Sequence, residues 1–213
     1  SSQDAAARVM ALGEDAAKIH AIGSPELDFH SQPSSVTIDD VRTRYALPDG
    51  AFGICIFHPV TSEADTMGTQ ARALFNAMTA SGRNFVLIAP NNDPGSADIF
   101  KAIDALPTDR FRVLPSMRFA HFSELMKNAS AMIGNSSAGV REAPFIGLPS
   151  LDIGSRQTNR AKSASVFFAD AHETDKIRDF LSTQWGKPYG RDDGFGGGSA
   201  AQRFADVIGQ ESF

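Results

Sequence analysis

Apolar residues in this chain fall into two alternating patterns. Short, nearly continuous apolar runs occupy 52–57 (F-G-I-C-I-F), 84–89, 111–114, 129–133, 148–153 and 165–168. Such runs, bounded by Gly, Pro and Asn, predict strands covered by helices on both faces, as parallel sheets are. Between them lie segments with helical spacing. The longest, 63–81, carries Met67, Ala71, Leu74, Phe75 and Met78 on one stripe, which assigns that stripe to core packing. Further helices are predicted over 35–47, with Thr37 as cap ahead of Asp39 and Asp40, and over 96–105, 119–128 and 174–183. Ser199 is expected to cap a last helix over 200–208. At the amino end, 1–18 predicts a helix with Val9, Met10 and Leu12 on its apolar side, then a short strand over 19–22 and a Gly23-Ser24-Pro25 turn. That first helix starts without a convincing cap, an abrupt opening expected of a fragment.

Strand and helix thus alternate about six times with no repeat of fixed period, which predicts the α/β class and a right-handed, doubly wound parallel sheet of Rossmann-like form. A single domain over 1–213 is the simplest organisation, with 185–198 as a flexible loop rich in glycine and charge and 199–209 as a terminal helix. The G-F-G-G-G within that loop follows no strand and is not a dinucleotide fingerprint.

Composition narrows the function. The net charge of -5 and pI near 5.5 argue against nucleic acid or a membrane surface as partner, since those need a basic face. A single cysteine, Cys55, excludes an internal disulfide framework. Inside its apolar run it reads as a buried core thiol. No apolar run is long enough to span a bilayer and no leader pattern is present, so a soluble, cytoplasmic chain is expected. The five histidines are scattered without acids at ligand spacing, so no metal and no cofactor are expected.

The chemistry concentrates in Gly134 to Arg160, G-N-S-S-A-G-V-R-E-A-P-F-I-G-L-P-S-L-D-I-G-S-R-Q-T-N-R. A buried strand ending in Gly-Asn-Ser-Ser predicts a turn into a helix whose first N–H groups have no partner within the helix. With the positive end of the dipole and the hydroxyls of Ser136 and Ser137, that tip suits a diphosphate. Gly134 and Gly139 allow close backbone approach. Glu142, about one and a half turns on, has two oxygens suited to a cis-diol such as a ribose, and Pro144 keeps the helix short. Arg156 is placed to meet a phosphate or a sugar. The bland alternative is that Ser136 is an N-cap and Arg156 a surface charge. His58, Asn91 and Phe122 follow other strands and have bland readings too, as a satisfied structural histidine, a turn former and a core ring.

The pattern GNSSxGxREAPxxGxPxxxIGxRQ, read from Gly134 to Gln157, resembles the signature of the UDP-N-acetylglucosamine 2-epimerase family, and of its hydrolysing branch in particular. The non-hydrolysing branch has a different serine-glycine turn here and lacks the Arg-Gln pair. The resemblance implies the carboxy-terminal half of a two-domain enzyme of glycosyltransferase-B (GT-B) shape. It sets His58, within H-P-V-T, against the diphosphate and the reacting sugar as a catalytic residue. It sets Asn91 beside the uridine diphosphate, Phe122 against the uracil, and the Gly23 turn near the nucleotide, with Ser136, Ser137, Glu142 and Arg156 completing the UDP site. It also implies UDP or a UDP-sugar as ligand, homo-oligomers of the whole enzyme, and catalytic carboxylates on an amino-terminal domain, its own or a partner chain's. Such a half is expected to be inactive by itself. A nucleotide-sugar binding module and a GT-B glycosyltransferase donor domain are the alternatives.

Overall fold

A computed structural model describes residues 1–160 and 162–210. Where the periodicity predicts one domain, the chain divides into two compact units, 34–191 and a smaller one formed by 1–33 with 192–213. Among the described residues the smaller unit has no strand. The segment 19–22, predicted as a strand, is irregular. The unit is instead built from α1 (Gln3–Ala11), α2 (Pro25–Ser31) and α9 (Ala200–Ile208), with α2 packed on α9.

Local signals in that unit differ from expectation in two places. Helix α1 does have a cap, because the Ser2 side chain accepts a hydrogen bond from the Ala5 N–H. Helix α9 begins after Ser199 without a side-chain bond from that serine. The cap comes from α2, whose Asp28 carboxylate accepts from both the Ala200 and Ala201 N–H at 2.7 Å. A negative charge across two orphan donors also sits favourably on the helix dipole. Gly23, at φ 98°, belongs here as well. A side chain there would meet the Gly196 backbone at 3.3 Å, and the neighbouring Ser24 N–H donates to the Phe195 carbonyl.

The larger unit is the predicted doubly wound sheet. Six parallel strands, β1 (Phe52–Ile56), β2 (Asn84–Ile88), β3 (Phe111–Leu114), β4 (Ala131–Gly134), β5 (Ser150–Ile153) and β6 (Val166–Ala169), run in the order β3-β2-β1-β4-β5-β6. Chain order reverses between β1 and β4, which makes the carboxyl ends of those two strands the crevice where open α/β sheets bind ligands. One face carries α4 (Met67–Ala80), α5 (Ser96–Asp104) and α8 (Thr174–Thr183) over Cys55, Phe85, Leu87, Ile133 and Leu151. The other carries α3 (Ile38–Tyr45), α6 (Phe119–Asn128) and α7 (Ser137–Phe145) over Phe52, Ile54, Val86 and Met132. Thr37 and Asp40 form the capping box of α3, so Asp40 is structural. Burial pushes the Cys55 thiol far up, consistent with an inert core residue.

The stretch 185–198, expected as a mobile loop, lacks regular structure but is anchored in both units. In the larger one the Arg83 guanidinium lies 4.5 Å over the Trp185 ring, the Gly186 N–H donates to Ser130, Tyr189 bonds Gln184 at 2.6 Å, and Arg191 lies 4.0 Å over Phe145. Aromatic and arginine side chains supply burial that glycine content alone does not reveal.

Gly134 closes the sheet at the site. Its φ is 132°, and a Cβ there would stand 2.0 Å from the Ile56 carbonyl oxygen. Gly134→Ala is therefore expected to lose on the order of 3 kcal/mol of stability, seen as a lower urea midpoint at unchanged slope.

Candidate functional site

Several of the larger unit's predicted site residues are carried to the carboxyl edge of the sheet by different elements. His58 stands two residues past β1, Asn91 past β2, Ser136 and Ser137 at the start of α7 past β4, and Arg156 past β5. Their convergence depends on Asn135, which sequence reasoning left without a role. Its side-chain oxygen accepts from the His58 N–H at 2.6 Å and its amide donates to the His58 carbonyl at 2.8 Å. The carboxamide thereby continues the β1–β4 ladder beyond the last paired residues, Ile56 and Gly134. Its main chain is equally occupied. The Asn135 N–H donates to Ile56, and its carbonyl accepts from Arg156 at 3.2 Å and Gln157 at 3.0 Å. Asn135 and Gln157 are 1% and 2% exposed, so these bonds are made out of water.

His58 is half-buried, and its Nδ1 accepts from the Asn91 N–H at 3.2 Å. An acceptor Nδ1 requires the proton of the neutral ring on Nε2. Burial chiefly, then the Arg156 guanidinium, holds the imidazole below its usual pKa, with Asp93 opposing. Near neutrality His58 is thus a neutral Nε2–H donor. Asn91 contributes its main chain, while its exposed side chain bonds Asp93 at 2.6 Å.

At the α7 tip the Ser136 hydroxyl accepts from the Ala138 N–H, and Ser137 Oγ accepts from Arg141. Ser136 is therefore an N-cap, yet a hydroxyl that accepts one bond still has its own hydrogen to donate. Helix α7 ends one residue past Pro144, short as predicted. Glu142 is buried on α7 at 7% exposure. Phe122 lines a cleft of about 380 Å³ with His58, Pro90, Asn91, Met117 and Phe119. Gly23 belongs to the smaller unit, where its close approach to Gly196 accounts for the glycine.

Two carboxylates escaped the sequence reading. Glu63 accepts from Ser155 and, at 2.9 Å, from Gln70, and these bonds hold it below the usual carboxylate range. It ties the loop bearing Arg156 to the segment after β1. Asp152, on β5, is 2% exposed and neither of its oxygens has a hydrogen-bond partner. Burial raises it to about 7, with the Arg156 guanidinium pulling the other way. A lone Asp inside the apolar run L-D-I was its sequence signal.

The sequence profile of the UDP-N-acetylglucosamine 2-epimerase family matches residues 1–209. The chain belongs to the UDP-N-acetylglucosamine 2-epimerase family. It is 41% identical over 212 residues to a UDP-N-acetylglucosamine 2-epimerase of Neisseria meningitidis serogroup B, covering 97% of this chain and 56% of the relative. It is 30% identical over 165 residues to a UDP-N,N'-diacetylbacillosamine 2-epimerase (hydrolyzing) of Legionella pneumophila, covering 76% of this chain and 44% of that one. The chain therefore spans about half the length of the curated relatives it matches. In fold it is similar to the crystal structure of a Neisseria meningitidis UDP-GlcNAc 2-epimerase bound to UDP-GlcNAc, with TM-score 0.73 at 14% identity, over 97% of this chain and 59% of the other.

Two outcomes follow from this geometry. Asn135→Ala strips partners from two buried main-chain groups of His58 and is expected to cost roughly 2–4 kcal/mol by urea denaturation. Asp152 favours its protonated form in the fold, so its contribution is best below its unfolded pKa and is lost as pH rises towards 7. Asp152→Asn is expected to be more stable than the parent by on the order of 2 kcal/mol above about pH 7, with the melting curves converging below about pH 4.

Proposed function

We propose that this chain is the UDP-binding domain of a hydrolysing UDP-N-acetylglucosamine 2-epimerase. The supporting observation is the α7 tip at the β1/β4 switch point, with Ser136 and Ser137, the neutral Nε2–H of His58 and the Arg156 guanidinium around one crevice. The neighbouring cleft, lined by Phe122, Phe119 and Pro90, has the flat apolar walls a uracil needs. Glu142 is assigned the ribose hydroxyls.

In this reading the proton at carbon 2 of UDP-N-acetylglucosamine or a modified analogue is removed and UDP leaves in the anti sense, giving a 2-acetamidoglucal. Water then adds with inversion at carbon 2, releasing an N-acetylmannosamine-type sugar and UDP. The abstracted carbon-2 proton passes to the base and then to solvent or UDP, while the hydroxyl of the water goes to carbon 1 and its other hydrogen to carbon 2. The part of this chain is to stabilise negative charge on the departing diphosphate, by fixed donors that need no reorganisation. The proton-abstracting carboxylate is assigned to the half of the relatives that this chain does not span. The hydrolysing subtype rests on the Arg156-Gln157 pair and on the relative named as hydrolyzing. The product would feed synthesis of sialic acid-like or other surface sugars.

That same coverage supports a second reading, a nucleotide-sugar module or subunit without activity alone. Turnover of UDP-N-acetylglucosamine by this chain and by the longest reading frame containing it distinguishes the two. Release of free N-acetylmannosamine without an acceptor supports the hydrolase and excludes a glycosyltransferase; a full frame that releases no UDP refutes the enzyme. In calorimetry, Ser136→Ala with Ser137→Ala is expected to weaken UDP binding by roughly 1–3 kcal/mol, and unchanged affinity refutes the cradle. Glu142→Gln is expected to weaken UDP more than pyrophosphate.

A further inference from the structure

Asp152 is a carboxyl where an apolar residue would cost less. It lies between Leu151 and Ile153 on β5, paired at Cα level with Gly134 of β4 and Phe168 of β6. Its oxygens receive no hydrogen bond. A buried carboxylate without donors is among the costliest groups a fold can hold, and such residues are retained where they serve a site. The surroundings are specific. The paired segments of β4 and β6 have no ionisable side chain, and α7, packed on β5, carries Arg141 and Glu142. His58 stands past β1, on the far side of β4. The charge that acts on Asp152 is Arg156, from the loop that follows its own strand. Arg156 in turn bonds the Asn135 carbonyl, one residue before the α7 tip. One guanidinium thus acts electrostatically on a partnerless acid while it is hydrogen-bonded beside the α7 tip.

We propose that Asp152 is a proton-linked positioning residue of the nucleotide site. As a neutral acid it leaves Arg156 to the diphosphate; as a carboxylate it draws that guanidinium to itself and repels the ligand. Binding of a nucleoside diphosphate then takes up one proton from solvent onto Asp152, and its release returns that proton. The inference rests on the diphosphate reading of the α7 tip.

The test is calorimetry of UDP binding to the chain from pH 6.5 to 8.5, in two buffers of different ionisation enthalpy. The parent is expected to take up roughly half a proton more per UDP near pH 7.5 than Asp152→Asn, and its affinity to fall about tenfold more across the range. Comparing parent with variant cancels the titration of the UDP terminal phosphate and of His58. Arg156→Gln is a second variant that does not disturb β5, and it is expected to bind UDP more weakly and to lose the extra proton uptake. Equal proton uptake and equal pH slope in parent and Asp152→Asn, or full uptake retained in Arg156→Gln, would overturn the proposal while leaving the UDP site intact. A parent that binds no UDP at any pH would overturn the site itself, and the proposal with it.

Discussion

The side-chain amide of Asn135 is the constraint on which the rest of the site depends. At a switch point the connections from two neighbouring strands leave on opposite faces, which opens a crevice at their carboxyl ends. Something must hold β1 and β4 together just where the ladder stops. A carboxamide has one acceptor and one donor in a plane, the same pair that a peptide unit offers, so Asn135 can act as an extra rung against His58. Because its own carbonyl also receives Arg156 and Gln157, the loops after β1, β4 and β5 are referred to a single residue. The positive φ of Gly134 brings that residue into reach, at a position where the Ile56 carbonyl excludes any side chain.

Around this rung donors and ionisable groups are held in defined states. The chain is acidic overall, yet at the crevice a helix tip, a half-buried arginine and a neutral imidazole donor converge. The imidazole is held neutral by burial and by Arg156, so it donates without adding charge. Glu63 is held ionised by Ser155 and Gln70 and braces the arginine's loop. Asp152, with no such donors, is held towards its neutral form. Two carboxyls on either side of one loop are thus kept in opposite protonation tendencies by hydrogen bonding and desolvation.

The smaller unit follows different physics. Among the described residues its helices are completed by groups distant in sequence, as when Asp28 caps α9. Its α1 and α9 leave Met10, Phe204 and Ile208 at least partly exposed. Among the described residues, no helix is long and apolar enough to cross a membrane.

Strand positions, helix positions and the sheet class were legible in the chain because apolar periodicity is a local property. Helices α6 and α8 and strand β3 match their predicted limits, and the Thr37 capping box and buried Cys55 follow from neighbours in sequence. The Gly-Asn-Ser-Ser corner was equally legible, since a strand running into small polar residues and a helix is a local event. Other features depend on residues that only folding brings together. The 19–22 segment is extended in pattern but finds no place in the sheet; 185–191 is polar in composition but pinned by Arg83 and Phe145. Asn135 reads locally as one more turn residue, and its weight comes from His58, 77 positions away. Periodicity reports which face of an element is apolar, whereas hydrogen-bond partners and the shift of a buried acid are set by what lies across the crevice, and that is decided only when the strands are side by side.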